Sequence, residues 1–463
     1  MRIGKLGFTT RIKRNLRVEF GEERLTSHAG LELFRRYIRE GGFAQELHRS
    51  QSRLPRRGDL RFGPVVLLVV AMLLVGGRRL RHVEYLGGDP LVQRITGLRR
   101  MPSRRTLSRK LASLRKVDMN ELARLVLATA TEAITPLELP RATVDIDGSV
   151  LTTGLTVAGA LRGYNPHHRK NPSYYPISAT LAQTGHVLSH RNRPGNVHDS
   201  HGAADFLRNT VVHLRKAIPT VGIVEVRTDS AFFQRDFLET YGRLGVEYAI
   251  KVPMWPYLNL RALVRKVDPN LWQTVNQAAK VAGIFLHLDV PFWNRSEHIA
   301  IYRTRRNHKP VKGTQLDLFN PDDGYWEYSV VATNKDLGLG ALLHFMNGHG
   351  VHEKTLAELK SGFAYDQIPT RDLRANTAWQ KVNPLAHNIN VGFQVDALRR
   401  PKTKTQKRTA SYLISSIRTV RFEWLNRAAR LISPGGDQVL RLSTNPAVQN
   451  AFTRAQQVLD QAA

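Results

Sequence analysis

The stretch Thr143-Val144-Asp145-Ile146-Asp147-Gly148-Ser149 places two carboxylates on one edge of a short, otherwise apolar strand. In an extended chain Val144 and Ile146 face one way while Asp145 and Asp147 face the other. Two acids on one face repel each other, so a cation or a bound proton must relieve them once they leave water, unless the strand is a wet sheet edge. A third acid, Asp229, follows the apolar strand that ends in Val226-Arg227-Thr228. Ligands of α/β sheets gather beyond the carboxyl ends of strands, although Asp also favours helix N-caps. A fourth comes from the segment His349 to Phe363, where Leu356, Leu359 and Phe363 mark a buried stripe. At about 100° per residue Glu353 and Lys360 lie together at its border and Glu358 projects away, so Glu353 is the acid placed to look into a site, unless this is a surface helix with ordinary Glu and Lys on its flank.

The elements that must position these residues change in texture along the 463-residue chain, whose length suits roughly three domains. Residues 1 to about 135 carry helical patterns at Leu31 to Arg39, Val65 to Val75 and Leu122 to Ile134. From Arg141 strands alternate with helices. Strand-like runs are Thr143 to Asp147, Leu155 to Leu161, Tyr174 to Leu181, Val187 to Arg191, Gly222 to Thr228 and Val246 to Val252, with helices at His201 to Lys216 and Phe232 to Leu244. That order predicts a ribonuclease-H-like α/β domain, split into 136–252 and 335–395 by a β-rich insertion over 253–334. Helical texture returns at Asp336 to Met346 and Glu353 to Lys360 and again beyond Asn376, before a linker from Arg399 to Arg408 and a basic C-terminal region over 396–463.

Composition narrows the partner. Lys plus Arg number 69 against 38 Asp plus Glu, a net charge of +31, which predicts a polyanion: nucleic acid first, an anionic membrane surface second. The longest apolar run, Val65 to Val75, is shorter than the roughly 20 residues a membrane span needs. Cysteine is absent, so disulfides, thiolate zinc sites and cysteine nucleophiles are excluded. Between Arg78 and Lys116 there are twelve Lys or Arg and two acids, Glu84 and Asp89. A helix opened by Asp89-Pro90, a turn at Gly97 and a second helix opened by Ser103 have the layout of a helix-turn-helix, with Arg104, Arg105 and Arg109 directed to DNA. A solvated basic helix packed through Leu107, Leu111 and Leu114 is the alternative. The histidines from His167 to His201 match no zinc spacing. The insertion residues Trp255, Trp272, Trp293 and Trp326 suit core packing better than base stacking, and the run Arg303 to Lys312 adds charge there.

From Asp89 to about Leu431 the chain resembles the DDE transposases of bacterial insertion sequences, in the group whose glutamate helix carries a Tyr-Arg-Glu-Lys signature. Asp147-Gly148-Ser149 is similar to the Asp-x-Thr/Ser context of that family's first aspartate, and Thr228-Asp229-Ser230 to its second. Six residues separate Glu353 from Lys360, as in the signature, while the signature's arginine falls at His349 and its tyrosine at Met346. Gly163 to His168, Tyr174-Tyr175-Pro176, Arg193-Pro194-Gly195-Asn196 and Asn376 to Asn388 resemble the same family in the same order. The resemblance implies that Asp147, Asp229 and Glu353 are catalytic and bind two Mg²⁺ ions, with Mn²⁺ able to substitute. It implies that Lys360, assisted by His349, binds a phosphate and that Asp145 supports the site. It further implies nicking at transposon ends and transfer of the 3′-hydroxyl to target DNA. The partners implied are terminal inverted repeats and target DNA, bound by a homodimer or larger assembly in the bacterial cytoplasm at the nucleoid. A nuclease of the same fold and a DNA-binding regulator without catalysis are the alternatives.

Overall fold

The computed structural model describes residues 18–21, 23–55, 58, 60–154, 156–166, 168–307, 324–398 and 413–462. The expected linker Arg399 to Arg408, residues 308–312 of the basic run, residues 1–17 and His167 lie outside the described residues. The first region is helical: α1 (Leu31–Glu40), α2 (Phe43–Arg53), α3 (Phe62–Leu74), α4 (Pro90–Thr96), α5 (Arg104–Ala112) and α6 (Lys116–Ile134). Helix α3 has apolar residues on every side and is the buried centre of this layer. Among the described residues no helix is long and apolar enough to cross a membrane.

A nine-stranded sheet follows. Its strands are β1 (Arg141–Gly148), β2 (Ile177–Leu181), β3 (Val187–Arg191), β4 (Ile223–Thr228), β5 (Glu247–Val252), β6 (Gln273–Asn276), β7 (Val281–Val290), β8 (Arg295–Asn307) and β9 (Gly324–Thr333). They lie side by side in the order β3-β2-β1-β4-β5-β9-β8-β7-β6. β1, β4 and β5 run parallel, and the other pairings are antiparallel. Helices α7 (Ala203–Ala217) and α8 (Arg235–Leu244) make the crossovers that parallel strands require. Val144, Ile146 and Val226 share one core with Phe206, Leu207 and Phe237 of these helices. The opposite face, which carries Asp145 and Asp147, is covered by α9 (Leu339–Asn347) and α10 (Gly350–Gly362).

Two expected strands are corrected. No strand forms among the described residues of Leu155 to Leu161, where Gly154 and Gly159 interrupt the run and Gly159 takes φ +77°, a left-handed turn conformation. Tyr174 to Leu181 divides at Pro176, which has no N–H for a ladder. Ser173–Tyr174 pairs with Leu151–Thr152, and only Ile177–Leu181 joins β1. The β-rich segment within 253–334 does not form a separate layer: β9 pairs with β5, so β6 to β9 continue the central sheet.

The end of the chain returns to its beginning. Helix α11 (Leu373–Phe393) threads the helical region, and Trp424, Phe452 and Leu459 join Phe34, Val69, Leu107, Trp379 and Phe393 in one core. The short strand Leu25–Thr26 pairs with Ala429–Ile432, which pairs in turn with Val439–Leu442. Helix α12 (Pro446–Ala462) packs beside α1.

Candidate active site

Strands β1 and β4 are parallel neighbours, with Asp145 opposite Arg227 and Ile146 opposite Thr228. Asp147 and Asp229 therefore emerge together where the two strands end. The two acids of β1 have separate fates. Asp145 is fully buried, and Arg227 donates to both its oxygens, Nε to Oδ1 at 2.7 Å and Nη2 to Oδ2 at 2.8 Å. His349 Nδ1 lies 3.0 Å from Oδ1. Burial alone would raise Asp145, but the His349 and Arg227 hydrogen bonds hold it below the usual carboxylate range. The same contact raises His349 against the effect of its own burial.

Asp147 has no such cation. Its Oδ1 accepts the Gly148 N–H at 2.7 Å, and burial pushes its pKa up to about 7. His349 opposes that rise, while the nearby carboxylates Asp199 and Asp229 add to it. Asp229 caps the 3₁₀ turn Ser230–Phe232, accepting from the Ser230 N–H and, at 3.0 Å, from the Ser230 hydroxyl. The cap expected from sequence is present, and one carboxylate can cap a turn and still face a cation.

Helix α10 crosses this strand end. His349 stands at its start, and its ring stacks on that of His352 at 5.6 Å. His352 is held by Thr180 at 2.7 Å, and burial lowers it to about 3, so it is a neutral packing residue. At 3.6 residues per turn His349, Glu353 and Lys360 fall on one face of α10. His349 and Lys360 both interact electrostatically with Asp147. The Glu353 side chain is exposed, and among the described residues no hydrogen bond or ion pair joins it to either aspartate. Glu358 points away as expected, accepting the Ile417 N–H at 2.5 Å. Lys360 is lowered by burial, an effect that Asp366 and Asp147 oppose.

Sequence reasoning missed Asp199. The Tyr175 hydroxyl donates to its Oδ2 at 2.7 Å, and Arg193 Nη2 stands 3.6 Å from Oδ1. Oδ1 is buried without a hydrogen-bond partner. A Cβ on residue 148 would overlap that oxygen, so glycine is what lets Asp199 lie against the end of β1. Gly348 serves the other side in the same way, because a Cβ there would overlap the Arg227 guanidinium. Arg193, from the stretch Arg193-Pro194-Gly195-Asn196, orders the loop through Nε to the Tyr175 carbonyl at 2.9 Å and Nη1 to the Asp199 and His201 carbonyls at 2.9 and 3.0 Å.

The donors suit a hard divalent ion: carboxylate oxygens in mutual repulsion at a strand end, with the buried Asp199 oxygen beside them. No group of three or more His, Asp or Glu among the described residues is close enough to close a metal cage by itself. Away from this centre, α4 and α5 form with a left-handed Gly97 between them, and Ser103 caps α5. Leu107, Leu111 and Leu114 are buried while Arg104, Arg105 and Arg109 are exposed, so the packed face and the basic face coexist on one helix. Arg104 lies 3.7 Å from Glu84.

A family model described as "Transposase DDE domain group 1" matches residues 8–463. Among solved structures the chain is similar to a piggyBac transposase in a synaptic complex with hairpin DNA, at 10% identity and a TM-score of 0.44, over 93% of this chain and 81% of that one. No curated protein matches the chain.

Proposed function

Because the chain belongs to the transposases with a group 1 DDE domain, we propose that it nicks DNA at the ends of a mobile element and joins the freed 3′-hydroxyl to target DNA. The observation that carries this reading is the pair Asp147 and Asp229 at adjoining strand ends, with Asp147 pushed up to about 7 by its burial and by neighbouring acids, against the opposing effect of His349. Such a pair is built to receive positive charge. Asp147, Asp229 and, from α10, Glu353 would hold two Mg²⁺ ions, or Mn²⁺ in their place. When bound, the metal supplies activation of a water or hydroxyl and stabilises the leaving oxygen. The order β3-β2-β1-β4-β5, with acids at the ends of β1 and β4, supports a ribonuclease-H-like catalytic unit.

The chain's own residues account for the rest. Lys360, on the face of α10 that also carries His349 and Glu353, receives a phosphate of the element's end. His349, committed to Asp145, keeps positive charge beside Asp147 and contributes to DNA through that field. The exposed Arg104, Arg105 and Arg109 engage duplex backbone, which fits the net charge of +31. Paired element ends call for two or more copies of the chain.

The test supplies full-length protein with Mg²⁺ and labelled duplex carrying the terminal inverted repeats that flank its coding region. Nicking followed by joining is the expected result. Nicking without joining would make the chain a nuclease, and salt-sensitive binding alone would make it a regulator. Should Asp147→Asn, Asp229→Asn and Glu353→Gln all keep wild-type nicking rates, the site is wrong.

A further inference from the structure

The last turn of α10 leaves carbonyls that the helix itself cannot satisfy. Arginines from distant parts of the chain take them. Arg421 Nη2 donates to the Gly362 carbonyl at 2.7 Å while its other bonds go to Leu73 and Leu74 at the end of α3. Arg78, at the head of the basic stretch that leads to α4 and α5, donates to the Ser361 carbonyl and, at 3.3 Å, to that of Lys360 itself. The same guanidinium meets both oxygens of Asp366, at 2.8 and 3.0 Å.

Two carboxylates attract Lys360: Asp147 at the end of β1 and Asp366 just beyond the helix. Its ammonium makes no hydrogen bond or ion pair among the described residues. Asp366 is already occupied, since Arg78 covers both of its oxygens and Gln367 Nε2 adds a third bond at 3.0 Å. A lysine in place of Arg78 has no planar fork with which to cover a carboxylate and two carbonyls together. The pair is partly exposed, with side chains 36% and 39% accessible, so it adds little to fold stability.

We infer that Arg78 is a positioning residue for Lys360: by saturating Asp366 and the end of α10, it keeps the Lys360 ammonium uncommitted and available to a DNA phosphate. The inference rests on the reading of Lys360 as a phosphate ligand. Without Arg78, Asp366 becomes a bare carboxylate, and Lys360 turns to it and away from the DNA phosphate. The role is distinct from binding DNA directly, and it links the basic stretch of the first region to the signature helix.

Single-turnover nicking of labelled terminal-repeat duplex by the full-length chain in Mg²⁺ tests this. Arg78→Ala is expected to slow nicking roughly tenfold or more, the scale of a displaced positioning group, with the melting temperature nearly unchanged. Adding Asp366→Asn removes the competing charge, so the double variant should recover most of the wild-type rate, which a purely structural clamp would not do. In a Lys360→Ala background, Arg78→Ala should slow the reaction no further. A double variant as slow as Arg78→Ala, an Arg78→Ala rate equal to wild type, or an additive slowing with Lys360→Ala would overturn the inference. If Lys360→Ala itself nicks at the wild-type rate, the reading of Lys360 fails and takes the inference with it. A slow Lys360→Ala without rescue by Asp366→Asn sinks the inference alone.

Discussion

Asp145 and Asp147 share a strand face, yet one is neutralised from both sides and the other is left to its neighbours. The difference lies in what each meets: Arg227 directly across the ladder for Asp145, and the acids Asp229 and Asp199 for Asp147. Two predictions belong to this scale. Gly148→Ala puts a methyl group into the space of Asp199 Oδ1 and the Tyr175 ring. The expected cost is about 1–3 kcal/mol of stability, together with slower nicking, read by chemical denaturation and the labelled-end assay. The second concerns pH. Burial lifts Asp147 to about 7, whereas an unfolded aspartate titrates near 3.9. Between those values the folded chain holds the extra proton, so this group's stabilisation is complete below about pH 4 and is lost as the pH rises toward 7. Metal-free protein should therefore lose melting temperature across that window more steeply than Asp147→Asn, and saturating Mg²⁺ should flatten the difference. A variant with the same slope as wild type would refute it. Asp147 and Asp229 were legible in the sequence because each stands at a strand end in a recognisable local context. Asp199 was not, since the loop that delivers it is ordered by Arg193 and Tyr175, and no local pattern encodes that approach. Its one trace was the glycine beside Asp147.

At the scale of elements, strands with alternating or continuous apolar residues could be read directly: Val187–Arg191 falls where expected, and β1, β4 and β5 differ only at their ends. The two failures have separate causes, and Pro176 alone divides Tyr174 to Leu181. Leu155 to Leu161 has strand composition, but flanking and internal glycines let the chain turn, and tertiary contact rather than propensity decides such short runs. The packed face of α5 was legible from Leu107 and Leu111, which are buried, and the arginines on its other side are exposed, as either reading of this helix requires. If that basic face engages backbone phosphates, replacing Arg104, Arg105 and Arg109 by Ala should weaken binding to any duplex about equally. Each arginine that neutralises a phosphate should, when replaced, lower the slope of log affinity against log salt by about 0.9. Equal slopes for variant and wild type, measured by fluorescence anisotropy, would remove α5 from the interface.

For the molecule as a whole, the sequence suggests a helical region, an α/β domain split by a β-rich insertion and a basic end, and in the structure the strands of the insertion join the central sheet. The inserted strands could be recognised as β-rich, but their pairing with β5 depends on register across a gap in sequence that no local pattern carries. The C-terminal region read as basic, and its charge hid the residues that dock it: Trp424 stacks on Phe452 and meets Phe393 edge-on, inside the core of the first region. Trp424→Ala is expected to cost about 3–5 kcal/mol and to lower the melting temperature of the entire helical layer, with tryptophan fluorescence and far-ultraviolet circular dichroism falling together. A loss confined to the last helix would show that the layers melt separately.

That shared core has a consequence for synthesis on the ribosome. Helix α3 emerges early, apolar on all sides, while the tryptophan and phenylalanine that complete its surroundings are translated more than 300 residues later. Until then the nascent chain carries an open hydrophobic seam, the kind of surface that chaperones hold and that aggregates when they do not. The arginine-bearing helix α5 leans on the same unfinished core, so the nascent protein gains its exposed arginine surface in final form only once translation has passed Phe452.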